Sequence, residues 1–182
     1  MIPKISVIVP NYNDADKLSE CIRSLLDLNY PKEKLEIIIV DNGSTDNSIQ
    51  MIKTFPVTLL VEENIKGSYA ARNLGAKNAK GEILAFTDAD CVVDKQWLYN
   101  SLKYFAEDIG GVAGKVLGGE PKTLVEEYQL FRKALEQSRN FNHPYYPFAI
   151  TANVIYKKIV FDKIGLFETN WISGGDVDFS WR

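Results

Sequence analysis

The stretch Leu35-Glu36-Ile37-Ile38-Ile39-Val40-Asp41-Asn42-Gly43-Ser44-Thr45-Asp46 decides the fold. Residues 35–40 are aliphatic and β-branched with almost no polar alternation, the pattern of a strand buried on both faces. The run stops at Asp41, and a polar turn follows in which Ser44 or Thr45 is expected to cap the next helix. Strand, polar turn and helix make the repeating unit of a parallel sheet.

The same unit recurs on both sides. Residues 5–9 form a short apolar strand stopped by Pro10-Asn11-Tyr12-Asn13, and Leu18, Cys21, Ile22, Leu25 and Leu26 then recur at helical intervals. Residues 57–61 read as a third strand, residues 67–79 as a small-residue helix carrying Arg72, and residues 82–87 as a fourth strand. The expected class is α/β, a mostly parallel twisted sheet flanked by helices, with ligands bound outside the carboxyl ends of its strands. Residues 11–14, 41–46 and 88–90 all fall at such ends, so three loops distant in sequence should meet at one edge.

Farther on, Asp94 is expected to cap a helix through Trp97, Leu98, Leu102 and Phe105, and residues 111–116 read as another strand. After Gly118-Gly119 the character changes. Residues 124–135 have a charged amphipathic pattern, residues 139–149 read as an aromatic, Asn-rich loop, residues 151–156 as a strand, and residues 158–164 as a short helix closed by Gly165. One domain is expected over all 182 residues, with a division of labour near Gly118-Gly119.

Composition narrows the classes. Apolar residues at 46%, charged residues at 25% and a net charge of -3 fit a soluble globular protein and argue against a nucleic-acid binder, which needs a basic stripe. No apolar stretch approaches the roughly 20 residues of a membrane span. Cys21 and Cys91 have the spacing of neither a disulfide framework nor a metal quartet, compatible with a reducing compartment, and His143 is the single histidine, so a histidine-rich zinc site cannot be built. Asn42-Gly43-Ser44 matches a glycosylation sequon but lies in the expected pocket, and is read as chance.

Carboxylates are the conspicuous chemical resource. Asp88-Ala89-Asp90 ends the fourth strand, and residues i and i+2 of a strand share a face. If pairing continues past the strand end, both carboxylates reach one Mg²⁺ or Mn²⁺, whose shell a phosphorylated substrate completes. A solvated turn with a capping carboxylate explains the same residues about as well. Asp41 is placed to accept hydrogen bonds from a base or ribose, or else serves its turn. Lys66 and Arg72 flank a helix start and suit phosphate, or form a solvated cationic face. In Gly174-Gly175-Asp176-Val177-Asp178, Asp176 is a candidate general base, or both aspartates are an acidic helix start. A Gly-x-Gly-x-x-Gly after the first strand, a Gly-x-x-x-x-Gly-Lys-Ser/Thr loop and a Gly-x-Ser-x-Gly elbow are all missing, which disfavours dehydrogenase, P-loop and serine-hydrolase chemistry.

Taken together, Val7-Ile8-Val9-Pro10-Asn11-Tyr12-Asn13, Ile38-Ile39-Val40-Asp41-Asn42-Gly43-Ser44-Thr45-Asp46, Ala71-Arg72-Asn73-Leu74-Gly75 and Phe86-Thr87-Asp88-Ala89-Asp90 closely resemble, in order, the inverting family-2 glycosyltransferases with the GT-A fold. Residues 161–168 and 174–182 resemble the family's later, acceptor-side motifs. The resemblance implies a nucleotide-sugar-binding portion over residues 1–117 and a partial acceptor-side portion over residues 118–182. It implies that Pro10, Asn11, Tyr12 and Asn13 border the nucleotide, that Asp41 recognises the base, and that Lys66 and Arg72 lie nearby. Asp88, Ala89 and Asp90 would surround the ribose, diphosphate and a Mn²⁺ or Mg²⁺ ion, with Asp90, then Asp88, as metal ligands. Asp176 would be the catalytic base, with Asn153, Gly174, Gly175 and Asp178 on the acceptor side. One departure stands out: Gly175 occupies the place where the family usually has a Glu.

The implied reaction is inverting transfer from a nucleoside-diphosphate sugar, UDP-sugar favoured, to a saccharide or lipid-linked saccharide in polysaccharide or glycoconjugate synthesis. A cytoplasmic location follows, with a full-length parent peripherally at the inner face of the cell membrane, and no nucleic-acid partner. Family members usually continue beyond the acidic motif that ends here at Arg182, so a truncation with an open acceptor side is expected. Two alternatives remain at this level: a non-catalytic sugar-nucleotide-binding or protein-interaction module, and a nucleotidyltransferase on a similar sheet.

Overall fold

The computed structural model describes residues 2–132 and 136–182. Among them, strands β1 (Ile5–Asn11), β2 (Leu35–Asp41), β3 (Thr58–Val61), β4 (Ile83–Thr87), β5 (Gly111–Ala113) and β6 (Asn153–Lys157) form one sheet in the order β3-β2-β1-β4-β6-β5. The first four are parallel, and β6 runs antiparallel to both β4 and β5. The helices are α1 (Ala15–Leu26), α2 (Ser48–Ile52), α3 (Ser68–Asn78), α4 (Trp97–Leu102), α5 (Leu124–Arg132), α6 (Gln137–Phe141), α7 (Lys158–Ile164) and α8 (Gly175–Trp181).

The unalternating strands are explained by two core layers. Ile5, Val7, Val9, Ile37, Ile39, Ile83 and Ala85 join the layer that α1 covers with Leu18, Cys21, Ile22 and Leu25, and α4 with Trp97 and Leu98. Ile8, Ile38, Val40, Leu84 and Phe86 join the opposite layer, with Ala71 and Ala76 of α3, Phe161 of α7 and Phe179 of α8. Successive residues of each strand point to opposite faces, and both faces are dry.

Helix α3 lies so close to the sheet that its glycine is obligatory. A Cβ at Gly75 would meet Ile8 Cγ2 at 2.5 Å and Val40 Cγ2 at 3.2 Å. Gly75→Ala should therefore destabilise the fold by about 1–2 kcal/mol, an overpacking cost partly offset by alanine's better helix propensity. Chemical denaturation should show a lower midpoint at unchanged slope; a stabilised variant would contradict this packing.

The sheet splays where a ligand can enter. Pro10 has no N–H to give, and the β1–β4 ladder stops at Ile8 opposite Phe86 while β1–β2 runs on to Asn11 opposite Asp41. The carboxyl ends of β1 and β4 thus part at the point where strand order switches direction, the usual crevice of such sheets.

Several expectations need correction. Strand β4 ends at Thr87, and Asp88, Ala89 and Asp90 form a turn closed by Cys91 N–H donating to the Asp88 carbonyl at 3.1 Å, so the two carboxylates are not same-face strand neighbours. Helix α2 starts at Ser48, not after Ser44 or Thr45, whose groups bind the preceding loop instead. Strand β5 stops at Ala113 opposite Val154; past it Gly114 N–H donates to the carbonyl of Asn153, the first residue of β6, at 3.0 Å, so the ladder runs out within one residue of the strand end. The segment read as loop over residues 139–149 overlaps α6, held by buried Gln137, which donates to the Ile150 and Asn153 carbonyls and accepts from Ile150 N–H. The helix expected over residues 124–135 is seen to Arg132, and its last three residues lie outside the described ones.

Candidate active site

Asp41 organises the first two strand ends. It is fully buried, and its Oδ1 accepts from the N–H groups of Gly43 at 3.0 Å and Ser44 at 2.9 Å, while Oδ2 accepts from Asn11 Nδ2 at 2.9 Å. The next turn is stitched to the β1 loop: Ser44 Oγ accepts from Asn13 N–H at 2.9 Å, and Asn13 Oδ1 accepts from Thr45 N–H at 2.7 Å. Asn13 takes the left-handed backbone region, φ 51°, which Asn tolerates better than most residues. Tyr12 beside it is exposed.

Asn42 ties this turn to the start of α3. Its Nδ2 donates to the carbonyls of Glu62 and Ile65 at 3.0 and 2.8 Å, and its Oδ1 accepts from Gly67 N–H at 2.6 Å. Lys66 Nζ donates to the Asn42 carbonyl at 3.2 Å. Sequence reading named Lys66 but missed the clamp, although Asn42 sits in the opening motif.

The acidic turn is anchored from α3. Arg72, 4% exposed, holds Asp88 Oδ1 through Nη2 at 2.5 Å, and its Nε is buried without a hydrogen-bond partner, leaving an unused donor beside the turn. Asp90, by contrast, is exposed. Burial first, then neighbouring acidic groups, pushes the Cys21 thiol up to about 12 and the Cys91 thiol to about 11, so both stay protonated and thiolate chemistry is unavailable.

The aromatic layer brings the third carboxylate to this edge. Phe179 of α8 packs at ring-centroid distances of 4.5 Å on Phe167, 4.7 Å on Phe161 and 5.1 Å on Tyr156. This seats α8 so that Asp176, in its first turn, meets α3: Tyr69 Oη donates to Asp176 Oδ1 at 3.1 Å, and Val177 N–H donates to the same oxygen at 3.0 Å. Burial, then the Asp176 carboxylate, raises Tyr69 above the ordinary phenol value, so its hydroxyl remains a donor. Tyr69 also lies under Arg72, whose Cζ is 5.5 Å from the ring centroid. Asp88, Arg72, Tyr69 and Asp176 are thus contiguous, and nothing in the sequence spacing announces Tyr69.

The remaining acceptor-side candidates have structural partners. Asn153 accepts from Trp97 Nε1 at 2.8 Å and donates to the Lys115 carbonyl at 2.9 Å. Asp178 pairs with Arg182 at 2.8 Å, and Arg182 also donates to the carbonyls of Ile164 and Leu166. Gly174 caps α8 in the left-handed region at φ 90°, and Gly175 begins the helix. A cavity of about 850 Å³ adjoins the acidic turn, reaching Asp90 and lined also by Lys17, Val92, Lys115, Leu117 and Lys122. Asp41, Asp88 and Asp176 lie off it, at the crevice between strand ends.

No group of three or more His, Cys, Asp or Glu side chains among the described residues is arranged to hold a metal ion. Two carboxylates, one partly engaged by Arg72, suit a hard cation that takes its other ligands from a diphosphate and water, as Mg²⁺ commonly does. The donor set fits an ion that arrives with its substrate.

The sequence profile described as Glycosyl transferase family 2 matches residues 6–165. The chain belongs to this family. This family-2 chain is 34% identical over 197 residues to glycosyltransferase AglE of Haloferax volcanii, an alignment covering 100% of the chain and 61% of that protein. It is 37% identical over 137 residues to the poly(ribitol-phosphate) beta-glucosyltransferase of Bacillus spizizenii, covering 68% of the chain and 21% of that protein. Mannosyltransferase PcManGT from Pyrobaculum calidifontis, solved with GDP-Man and Mn²⁺, superposes with TM-score 0.76 at 28% identity, over 98% of the chain and 51% of that structure. S. aureus TarS 1-349 in complex with UDP-GlcNAc gives 0.74 at 25% identity, over 97% and 52%.

The GT-A-like architecture is thereby established, and the nucleotidyltransferase alternative gives way to the family-2 match. The family-2 chain spans 61% or less of the length of these relatives. Among the described residues, no helix is long and apolar enough to cross a membrane.

Proposed function

We propose that this chain carries the transfer centre of an inverting glycosyltransferase, moving a sugar from a nucleoside-diphosphate sugar to a hydroxyl acceptor in polysaccharide or glycoconjugate synthesis. The observation that carries the reading is the contiguity of Asp88, Arg72, Tyr69 and Asp176 at the strand ends. It sets a carboxylate able to take a proton beside a charged turn suited to a diphosphate. Asp176 accepts the proton of the attacking hydroxyl as that oxygen displaces the nucleotide in line, so one displacement inverts the anomeric carbon. Asp90 and Asp88 would hold a Mn²⁺ or Mg²⁺ ion, which when bound supplies charge stabilisation at the leaving diphosphate.

On the donor side, the loop from Pro10 to Asn13 borders the nucleotide, and Lys66 and Arg72 add positive charge. Asp41 already accepts three hydrogen bonds. A carboxylate has about four acceptor sites, so a base meets Asp41 through the remaining site on Oδ2 or displaces Asn11. UDP-sugar is the favoured donor, supported by the TarS complex, with GDP-mannose as competitor from the PcManGT complex. A saccharide or lipid-linked saccharide at the inner face of the membrane is the acceptor proposed.

Calorimetry tests the donor side. UDP, GDP, UDP-GlcNAc and GDP-mannose titrated with and without Mn²⁺ should give metal-enhanced binding of at least one diphosphate nucleotide. A folded chain that binds none of the four would overturn the reading.

A further inference from the structure

Gly175 precedes Asp176 at the start of α8, and the space beside it is filled. A Cβ there would meet Tyr69 Cδ2 and Cε2 at 2.9 Å and Cγ at 3.0 Å, closer than real Cβ contacts come. The ring occupying that space sends its hydroxyl to Asp176 Oδ1 at 3.1 Å. With Val177 N–H on the same atom at 3.0 Å, Oδ1 carries two donors, and proton acceptance falls to Oδ2. Tyr69 is itself held: it is 8% exposed, its ring lies 5.8 Å from that of Phe167, and Arg72 sits over its face.

We propose that Tyr69 is the positioning residue for Asp176, fixing the carboxylate through Oδ1 in the space that Gly175 leaves clear. This rests on the reading of Asp176 as the base. It supplies an orienting partner for the carboxylate in a chain whose preceding residue has no side chain to do so, and a carboxylate held by two donors loses rotational freedom that the reaction would otherwise have to remove. Because Arg72 touches both Asp88 and the Tyr69 ring, the same contact links the orientation of the base to the donor side.

Two measurements on the full chain test it. In protein labelled with ¹³Cζ-tyrosine, the resonance missing from Tyr69→Phe is that of Tyr69. In Asp176→Asn it should move and titrate at lower pH, since one source of its raised phenol value has gone. A resonance with unchanged position and titration would overturn the contact without reference to turnover. In the second measurement, release of nucleoside diphosphate from UDP-GlcNAc or GDP-mannose with Mn²⁺ is followed. Tyr69→Phe, which keeps the ring, should lower kcat about 10-fold with donor KM within about twofold, and should add no further loss in an Asp176→Asn background. Full kcat in Tyr69→Phe beside an impaired Asp176→Asn, or losses that multiply, would overturn the role of Tyr69 and leave the base assignment standing. Normal turnover by Asp176→Asn would overturn the base assignment and this role with it.

Discussion

Asp176→Asn is expected to lower turnover roughly 100-fold or more while nucleotide affinity stays within a few-fold of the unsubstituted chain. An amide cannot take the acceptor's proton, and loss of a general base typically costs 10²–10⁴-fold. Folding should survive, because Asn Oδ1 can still accept from Tyr69 Oη and Val177 N–H, the two donors that Asp176 Oδ1 meets. Steady-state kinetics paired with calorimetry separates the chemical loss from a binding loss. Near-normal turnover would count against the base, and loss of nucleotide affinity would move Asp176 to the donor side.

Asp88→Ala and Asp90→Ala should part company, although they lie in one motif. Removing Asp88 strands the charge of Arg72, which is 4% exposed, and breaking such a pair by deleting one partner costs roughly 3–5 kcal/mol. The lower end applies, since the Asp88 side chain is 34% exposed. A fall in Tm of roughly 6–12 °C follows for a chain of this size. Asp90 is exposed and makes no ion pair among the described residues, so Asp90→Ala should leave stability within about 0.5 kcal/mol while abolishing the gain in nucleotide affinity from Mn²⁺. Thermal unfolding and calorimetry on both variants decide it. Equal Tm values would mean that the Arg72–Asp88 pair contributes little.

The parallel half of the fold was legible because burial on both faces writes itself into composition. Residues 37–40 are buried whichever face they point to, and the two layers containing Ile37 and Ile39, and Ile38 and Val40, account for each of those positions. The three loops at the strand ends were legible for the same reason, since each is where an apolar run stops. Less visible was what depends on tertiary contact. That Ser44 would hold Asn13 rather than cap a helix, or that Gln137 would anchor α6, depends on chain brought in from elsewhere. Tyr69 is the clearest case: in sequence it is an aromatic at a helix start, and its partner is 107 positions away. The one hint was Gly175, a missing side chain whose space another residue had to fill.

The order of the sheet also bears on how the chain is made. Strand β4, Ile83–Thr87, is central in the finished protein, flanked by β1 and by β6. Its β1 side can pair as soon as it is synthesised, whereas its β6 partner, Asn153–Lys157, is translated much later. At about 5–20 residues per second the ribosome leaves that apolar edge open for on the order of several seconds. During that interval β4 is a sticky, unpaired strand of the kind that seeks pairing with other chains. Slowing synthesis between residues 87 and 153 should therefore increase aggregation of the nascent protein, and truncating before β6 should make that edge permanent.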